Sequence, residues 1–379
     1  MKIEASVKLK FLTPAFIGGV DPHGNSELNE KALRGALRFW WRAFCSDPGW
    51  DYKQLLGNES TIFGGQNIRS KFSVTIIDSP KNGKAKNNVS KMENGIKYLL
   101  YSTIPKENNR GKAEYISPGS EYTVRIIADS IDVMKEVLKS FWLLENFGGL
   151  GARSRRGAGS FKITNVDGLE LTQLNDVPEF LFISEIKDTN GVKEFLNQGI
   201  RRINPKINTF PKYTAYSLLD NNSYFKVRVV TGGGWEQAMN ELGQIYSDFR
   251  SYRNPPYSEQ ARSLHDFAVS NGNSGFSLNH PPTKVAFGLP IIYKFRDKLS
   301  IIAEPDSRDL VRRGSPLFFK IGEIDNNFYI VALVMWSEFL PPGMKVKVKR
   351  MHDLNTLFLI NQPSRDDIDN FMEYFERPR

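Results

Sequence analysis

The sequence predicts an α+β protein made of two βαββαβ units in tandem, and three observations lead there. A chain of 379 residues is long enough for two to three domains. Strand-like alternation and helix-like spacing follow one another as β-α-β, β-α-β across residues 1–167. A noisier version of the same order returns over 223–379. This order is the split βαβ unit of ferredoxin-like (RRM-like) folds, with four antiparallel strands and both helices on one face. Residues 168–222 are then a connecting segment, and the repeat is one of topology rather than of residues.

Each element has its own pattern. Ile3, Ala5, Val7, Leu9 and Phe11 alternate with polar residues, as a half-buried strand does. Leu33, Ala36, Leu37, Trp40, Trp41 and Phe44 recur at helical spacing. Strands are expected near 71–78 (Phe72, Val74, Ile76) and 121–128 (Tyr122, Val124, Ile126). A second helix carries Ile131, Met134, Val137, Leu138, Phe141, Trp142 and Leu144, and Phe161, Ile163 and Val166 start a fourth strand. In the second half, a strand over Phe225, Val227, Val229 and Thr231 precedes a helix over Met239, Leu242, Tyr246 and Phe249. Strands at 284–294, 315–322 and 327–336 and a closing helix from 366 to 375 complete it. Two insertions read as mobile: 79–95, with four lysines and few large apolar residues, and 250–283, which interrupts the second unit.

Composition narrows the function classes. Lys and Arg number 51 against 42 Asp and Glu, a net charge of +9, which favours a polyanionic partner such as RNA. The single cysteine, Cys45, excludes an internal disulfide and a cysteine-ligated zinc site. No apolar run of 18 residues is present, so no membrane partner is expected, and the cytoplasm is the expected compartment. No cofactor is called for. The four histidines, His23, His265, His280 and His352, are scattered, and no zinc-protease or Walker motif occurs.

One stretch stands out: residues 148–159, GGLGARSRRGAG. Gly149, Gly151 and Gly157 permit close backbone approach to a ligand, and Arg153, Arg155 and Arg156 offer planar, permanently charged forks for phosphate. The stretch follows a helix rather than a strand and lacks a third spaced glycine, which excludes the dinucleotide-binding fingerprint. On the first helix Arg34, Arg38 and Arg42 recur every four residues and form a basic stripe, about 6 Å per step, with Trp41 at its edge as a candidate stacking surface. Arg312 and Arg313 are the basic counterpart in the second half. Catalytic residues are not expected. The competing reading is a metal-independent, RNA-processing endoribonuclease, with His23 in a Gly/Pro-rich loop as general base.

The helix motif LRGALRFWWRA at 33–43 and the loop at 148–159 resemble the first-helix motif and glycine-rich loop of the RAMP superfamily of CRISPR proteins. The double tryptophan, the IFGG at 62–65 and the RGSPL at 313–317 look like those of a subunit of the type III-B (Cmr) complexes, RNA-guided ribonucleoproteins of antiviral defence. The resemblance implies two ferredoxin-like domains and a non-catalytic RNA-binding subunit. It also implies contact with guide RNA, single-stranded target RNA or both, near the guide 3′ end, and other Cmr-complex subunits as partners.

Overall fold

The computed structural model describes residues 2–18, 25–105, 113–169, 174–180, 188–203, 214, 216–251, 257–270, 282–324, 327–351 and 356–377. In chain order the elements are β1 (Ile3–Phe11), α1 (Glu30–Cys45), α2 (Tyr52–Phe63), β2 (Phe72–Asp78), β3 (Lys84–Lys86), α3 (Asn94–Leu100), β4 (Glu114–Ile116) and β5 (Glu121–Ala128). There follow α4 (Ile131–Phe147), β6 (Phe161–Asp167), α5 (Thr189–Ile203), β7 (Ser223–Val230), α6 (Trp235–Phe249) and α7 (Tyr257–Val269). The chain continues through β8 (Ile291–Lys294), β9 (Ser300–Pro305), β10 (Leu317–Ile324), β11 (Asn327–Met335), β12 (Val346–Arg350), β13 (Thr356–Ile360) and α8 (Asp366–Glu376). The architecture is mixed α/β with antiparallel sheets.

The first sheet has the order β2-β5-β1-β6, and every pairing in it is antiparallel. Its inner face follows from period-two alternation: Ala5, Val7, Leu9 and Phe11 are fully buried, as are Val124, Ile126 and Ala128. Helices α1 and α4 pack side by side against this sheet. Asn29 caps α1, accepting the Ala32 N–H at 2.9 Å, and Ser130 caps α4 through Val133. Helix α2 begins with a reciprocal capping box between Asp51 and Gln54.

The chain forms two compact units. The first comprises 1–211, 218–244 and 318–333; it holds the sheet above and nearly all of a three-stranded sheet ordered β10-β11-β7. The second comprises 212–217, 245–317 and 334–379, with a four-stranded sheet β13-β12-β9-β8 and an aromatic cluster of Tyr246, Phe249, Phe287 and Phe371.

Three expectations need correction. Residues 79–95 are not a loose insertion. Strand β3 pairs with β4, Val89 is fully buried, and the Gly95 N–H donates to Asn240 Oδ1 at 2.9 Å. A single well-placed valine and backbone pairing order a segment whose composition reads as polar; its lysines, Lys81, Lys84, Lys86 and Lys91, remain exposed. The strand expected over 284–294 is a 3-10 turn at Thr283–Phe287 followed by the short β8, because Gly288, at φ 115°, turns the chain between them. Residues 250–283 contain α7; 252–256 and 271–281 lie outside the described residues. The segment 168–222 holds the amphipathic α5, which buries Val192, Leu196 and Ile203.

Candidate nucleic-acid interface

The glycine-rich loop is a tightly tied structure. α4 stops at Gly148, whose N–H donates to the Leu144 carbonyl at 3.0 Å. The two limbs then cross: the Leu150 N–H donates to the Gly159 carbonyl at 3.0 Å and the Gly159 N–H to the Pro14 carbonyl at 2.9 Å. The Ala152 N–H reaches the Phe16 carbonyl at 2.8 Å. Thr13 Oγ1 donates to the Gly157 carbonyl and accepts the Ser160 N–H, stitching the loop to the end of β1. The sequence supplies glycine where this crossing demands it. Gly151 lies at φ 93° and Gly159 at φ 63°, and a β-carbon on Gly159 would sit 1.9 Å from the Leu150 carbonyl oxygen. A β-carbon on Gly149 would stand 2.7 Å from the Ala158 carbonyl oxygen, whereas Gly157 has more room.

This frame presents residues 153–156 as a turn closed by the Arg156 N–H to the Arg153 carbonyl at 2.7 Å. All three arginines are partly exposed. Each lies over an aromatic ring: Arg153 over Tyr101 at 4.3 Å, Arg155 over Phe318 at 4.4 Å and Arg156 over Phe319 at 5.8 Å. Arg153 Nε also donates to Ser102 Oγ at 2.6 Å. Arg153 adopts φ 62°, a conformation that a residue with a β-carbon rarely takes. A cleft of about 210 Å³ opens beside Arg155, walled by Phe39, Trp40 and Phe318.

The first-helix stripe is built differently. Glu59 of α2, 4 % exposed, faces it, with its two carboxylate oxygens 3.2 Å from Arg38 Nε and 3.3 Å from Arg42 Nε. Arg34 donates to the Phe63 carbonyl at 2.7 Å and lies over the Phe72 ring, and burial together with the nearby Arg38 holds its pKa below the usual arginine value. The stripe therefore ties α1 to the end of α2, while Arg38 and Arg42 keep over a third of their side-chain surface in solvent.

Trp41 departs from expectation. It is 3 % exposed, its Nε1–H donates to Glu136 at 2.7 Å, and its ring packs edge-on to Phe63. Its faces are covered, so it is a core residue rather than a stacking surface. In the second unit Arg312 is exposed. Arg313 is turned inward, donating to Ser337 Oγ at 2.7 Å and the Glu338 carbonyl at 3.2 Å, and burial lowers its pKa.

The aromatic seats, the Thr13–Ser160 stitch and Glu59 were missed by sequence reasoning. Only Glu59 left a sequence trace, as part of a segment opened by the Asp51–Gln54 capping box. His23, His280 and His352 lie outside the described residues. His265 is held between Asp266 and Asp297 at 3.1 and 2.9 Å. Among the described residues no group of three or more His, Cys, Asp or Glu is placed to hold a metal ion, and no helix is long and apolar enough to cross a membrane.

Residues 8–162, which include the first helix and the arginine turn, match the model of the RAMP superfamily. The chain is similar to Cmr1 proteins. It is 28% identical over 337 residues to the CRISPR system Cmr subunit Cmr1-1 of Pyrococcus furiosus, covering 87% of this chain and 86% of that protein. Cmr1-2 of the same organism is 27% identical over 178 residues, covering 42% of this chain and 95% of its own length. The fold is shared with the crystal structure of apo Cmr1 from Pyrococcus furiosus, at TM-score 0.61 and 19% identity, covering 98% of this chain and 96% of that one. A chain of a type III-B Cmr-β complex bound to cognate target RNA aligns at TM-score 0.57 and 13% identity, with 99% of both chains covered.

Proposed function

We propose that this chain is a non-catalytic RNA-binding subunit of a type III-B Cmr ribonucleoprotein, acting in the cytoplasm beside other Cmr subunits. It holds guide RNA, target RNA or both near the guide 3′ end. One observation carries the reading: an arginine, Arg153, occupies a left-handed backbone position at the tip of a loop whose glycines are spent on its frame. Such strain persists where the surroundings enforce it, and it clusters at sites of function. The frame is ordered before any ligand arrives, so little ordering entropy is lost on binding. Phosphates meet Arg153, Arg155 and Arg156; the neighbouring cleft beside Arg155 has room and aromatic walls for a base.

The finer fold reading is of two tandem ferredoxin-like domains, divided at 1–167, 168–222 and 223–379. With α7, β8 and β9 inserted after α6, and β12 and β13 before α8, the elements β7, α6, β10, β11 and α8 follow the βαββα order, and the sheet order β10-β11-β7 supports a second such unit.

The test is a salt titration of single-stranded RNA binding, on the parent chain and on the Arg153→Ala, Arg155→Ala, Arg156→Ala triple variant. The parent should show a log–log slope of roughly −3 to −5, at about −0.7 per phosphate contact. The triple variant should lose about 100-fold in affinity with an unchanged circular dichroism spectrum. Parent-like binding by that variant overturns the proposal.

A further inference from the structure

The first unit contains a second polar cavity, of about 290 Å³, whose lining includes Glu145 of α4, Lys320 of β10, Phe161, Phe180 and Tyr329. Glu145 is 5 % exposed and Lys320 2 % exposed. Strand β10 is otherwise apolar here, with Leu317, Phe318, Phe319 and Ile321 all buried, so a lysine in its centre opposes every packing preference of the strand. Glu145 Oε1 accepts the Ile163 N–H at 2.6 Å, but Oε2 is buried with no hydrogen-bond partner among the described residues. Lys320 Nζ donates to the Phe161 carbonyl and lies over the Phe161 ring. An ammonium has three donors, so this one bond leaves capacity for more.

Burial pushes the Glu145 carboxyl up to about 8 and the Lys320 ammonium down to about 7. A purely structural position would gain by exchanging both side chains for apolar groups, since burying an ionisable group without full hydrogen bonding is costly. Gly322 adds a sign of shaping: a β-carbon there would lie 1.9 Å from the Tyr329 ring, so glycine is what lets this ring lie across the strand as part of the wall.

We propose that this cavity binds a guanine base, its adjacent ring and exocyclic N–H groups donating to the Glu145 carboxylate, whose ionised form they stabilise, and its carbonyl accepting from Lys320. The volume suits a base rather than a drug-sized ligand, for which pockets run from about 300 to 1,000 Å³. The aromatic residues in the lining suit a planar ring, and flipped bases are read in this way, by their Watson–Crick edge and by stacking. Adenine offers no carbonyl beside its donor, so it leaves Lys320 unanswered. The base is supplied either by a bound RNA strand or by a free guanine nucleotide.

Calorimetry with GMP and AMP, and binding of a uridine oligomer carrying one guanine or one adenine, separate these sources. Guanine should bind at least about tenfold tighter than adenine in one or both formats. Discrimination by GMP identifies the free nucleotide as sufficient; discrimination only by the oligomer identifies the strand. Glu145→Gln keeps the shape and an acceptor for Ile163 but can present an amide in place of Oε2, and Lys320→Met removes the donor; each should abolish the preference while thermal melting confirms the fold. The Arg153/Arg155/Arg156 alanine variant should retain the guanine preference with GMP, so failure of this proposal is distinguishable from failure of the RNA-binding one. Equal binding of guanine and adenine in both formats, or an unchanged preference in Glu145→Gln, overturns it and leaves the two charges as structural.

Discussion

The backbone of Gly151 runs against that of Phe16, so close that a β-carbon on Gly151 would stand 2.6 Å from the Phe16 carbonyl oxygen. This contact and the Ala152–Phe16 hydrogen bond fix where the arginine turn leaves the body of the first unit. Gly151→Val should therefore move the turn as well as strain it, at about 1–3 kcal/mol for a branched residue at φ 93°. The expected outcome is a lowered melting temperature together with at least about tenfold weaker RNA binding. Unchanged affinity would show that the turn's placement is immaterial.

Glu59 is the counter-charge of Arg38 and Arg42. Glu59→Gln should lower stability by about 1 kcal/mol, since the two guanidinium groups are partly solvated and each loses only a screened ion pair. If the first-helix stripe contributes to RNA binding, the same change should tighten binding at low salt and steepen the salt slope. An unchanged slope in Glu59→Gln would confine the RNA contact to the glycine loop.

Residues 79–95 combine a buried anchor with four exposed lysines, and the two can be tested apart. Deleting them removes the buried Val89 and the β3–β4 pairing, so melting should drop markedly; Val89→Ala alone should cost about 1.5–3 kcal/mol. Replacing Lys81, Lys84, Lys86 and Lys91 by Ala should leave melting unchanged and weaken RNA binding by a few-fold. Loss of stability in the lysine variant would mean that these exposed side chains support the fold.

In the second unit, hydrogen bonds to Asp297 and then to Asp266 raise the His265 pKa above its usual 6.5, and the same contact with His265 lowers that of Asp297. A raised histidine pKa gives stability that is complete below the unfolded value and lost as pH rises through the folded one. The Asp297 contribution is lost in acid, as pH falls through its lowered pKa. Melting measured from pH 5 to 9 should thus decline slightly above about pH 6.5 in the parent, and His265→Gln should flatten that decline. The effect should be small, because the pair is largely solvated and screened by salt. Identical profiles in the two proteins would exclude the linkage.

The parts of the fold that were legible in the sequence are those with a clean period. β1 and β5 alternate, α1 and α4 carry wide apolar stripes, and the observed bounds fall within a few residues of the expected ones. α5 and α7 were not recognised, because a polar majority hides their stripes inside stretches that read as connections. The arginine turn was legible from composition alone. Trp41 was misjudged because helical spacing places it at the margin of the stripe, and the group that buries it there, Glu136, lies far along the chain. Glu59 and Lys320 take their meaning from residues distant in sequence, Arg38 with Arg42 and Glu145, and no local pattern announces such meetings.

If the chain holds RNA as proposed, the Glu59 clasp separates capture from retention. Arg38, Arg42 and Glu59 together present one net positive charge, so at distances beyond the Debye length of about 8 Å this cluster pulls on an approaching polyanion little more than a lone lysine does. At contact, the guanidinium groups still offer N–H forks that a carboxylate does not exhaust. On that reading an RNA strand is drawn in by charge elsewhere, the exposed lysines of 79–95 among it. The clasped arginines then act on how long the strand stays, so their replacement should change the dissociation rate and leave the association rate nearly untouched.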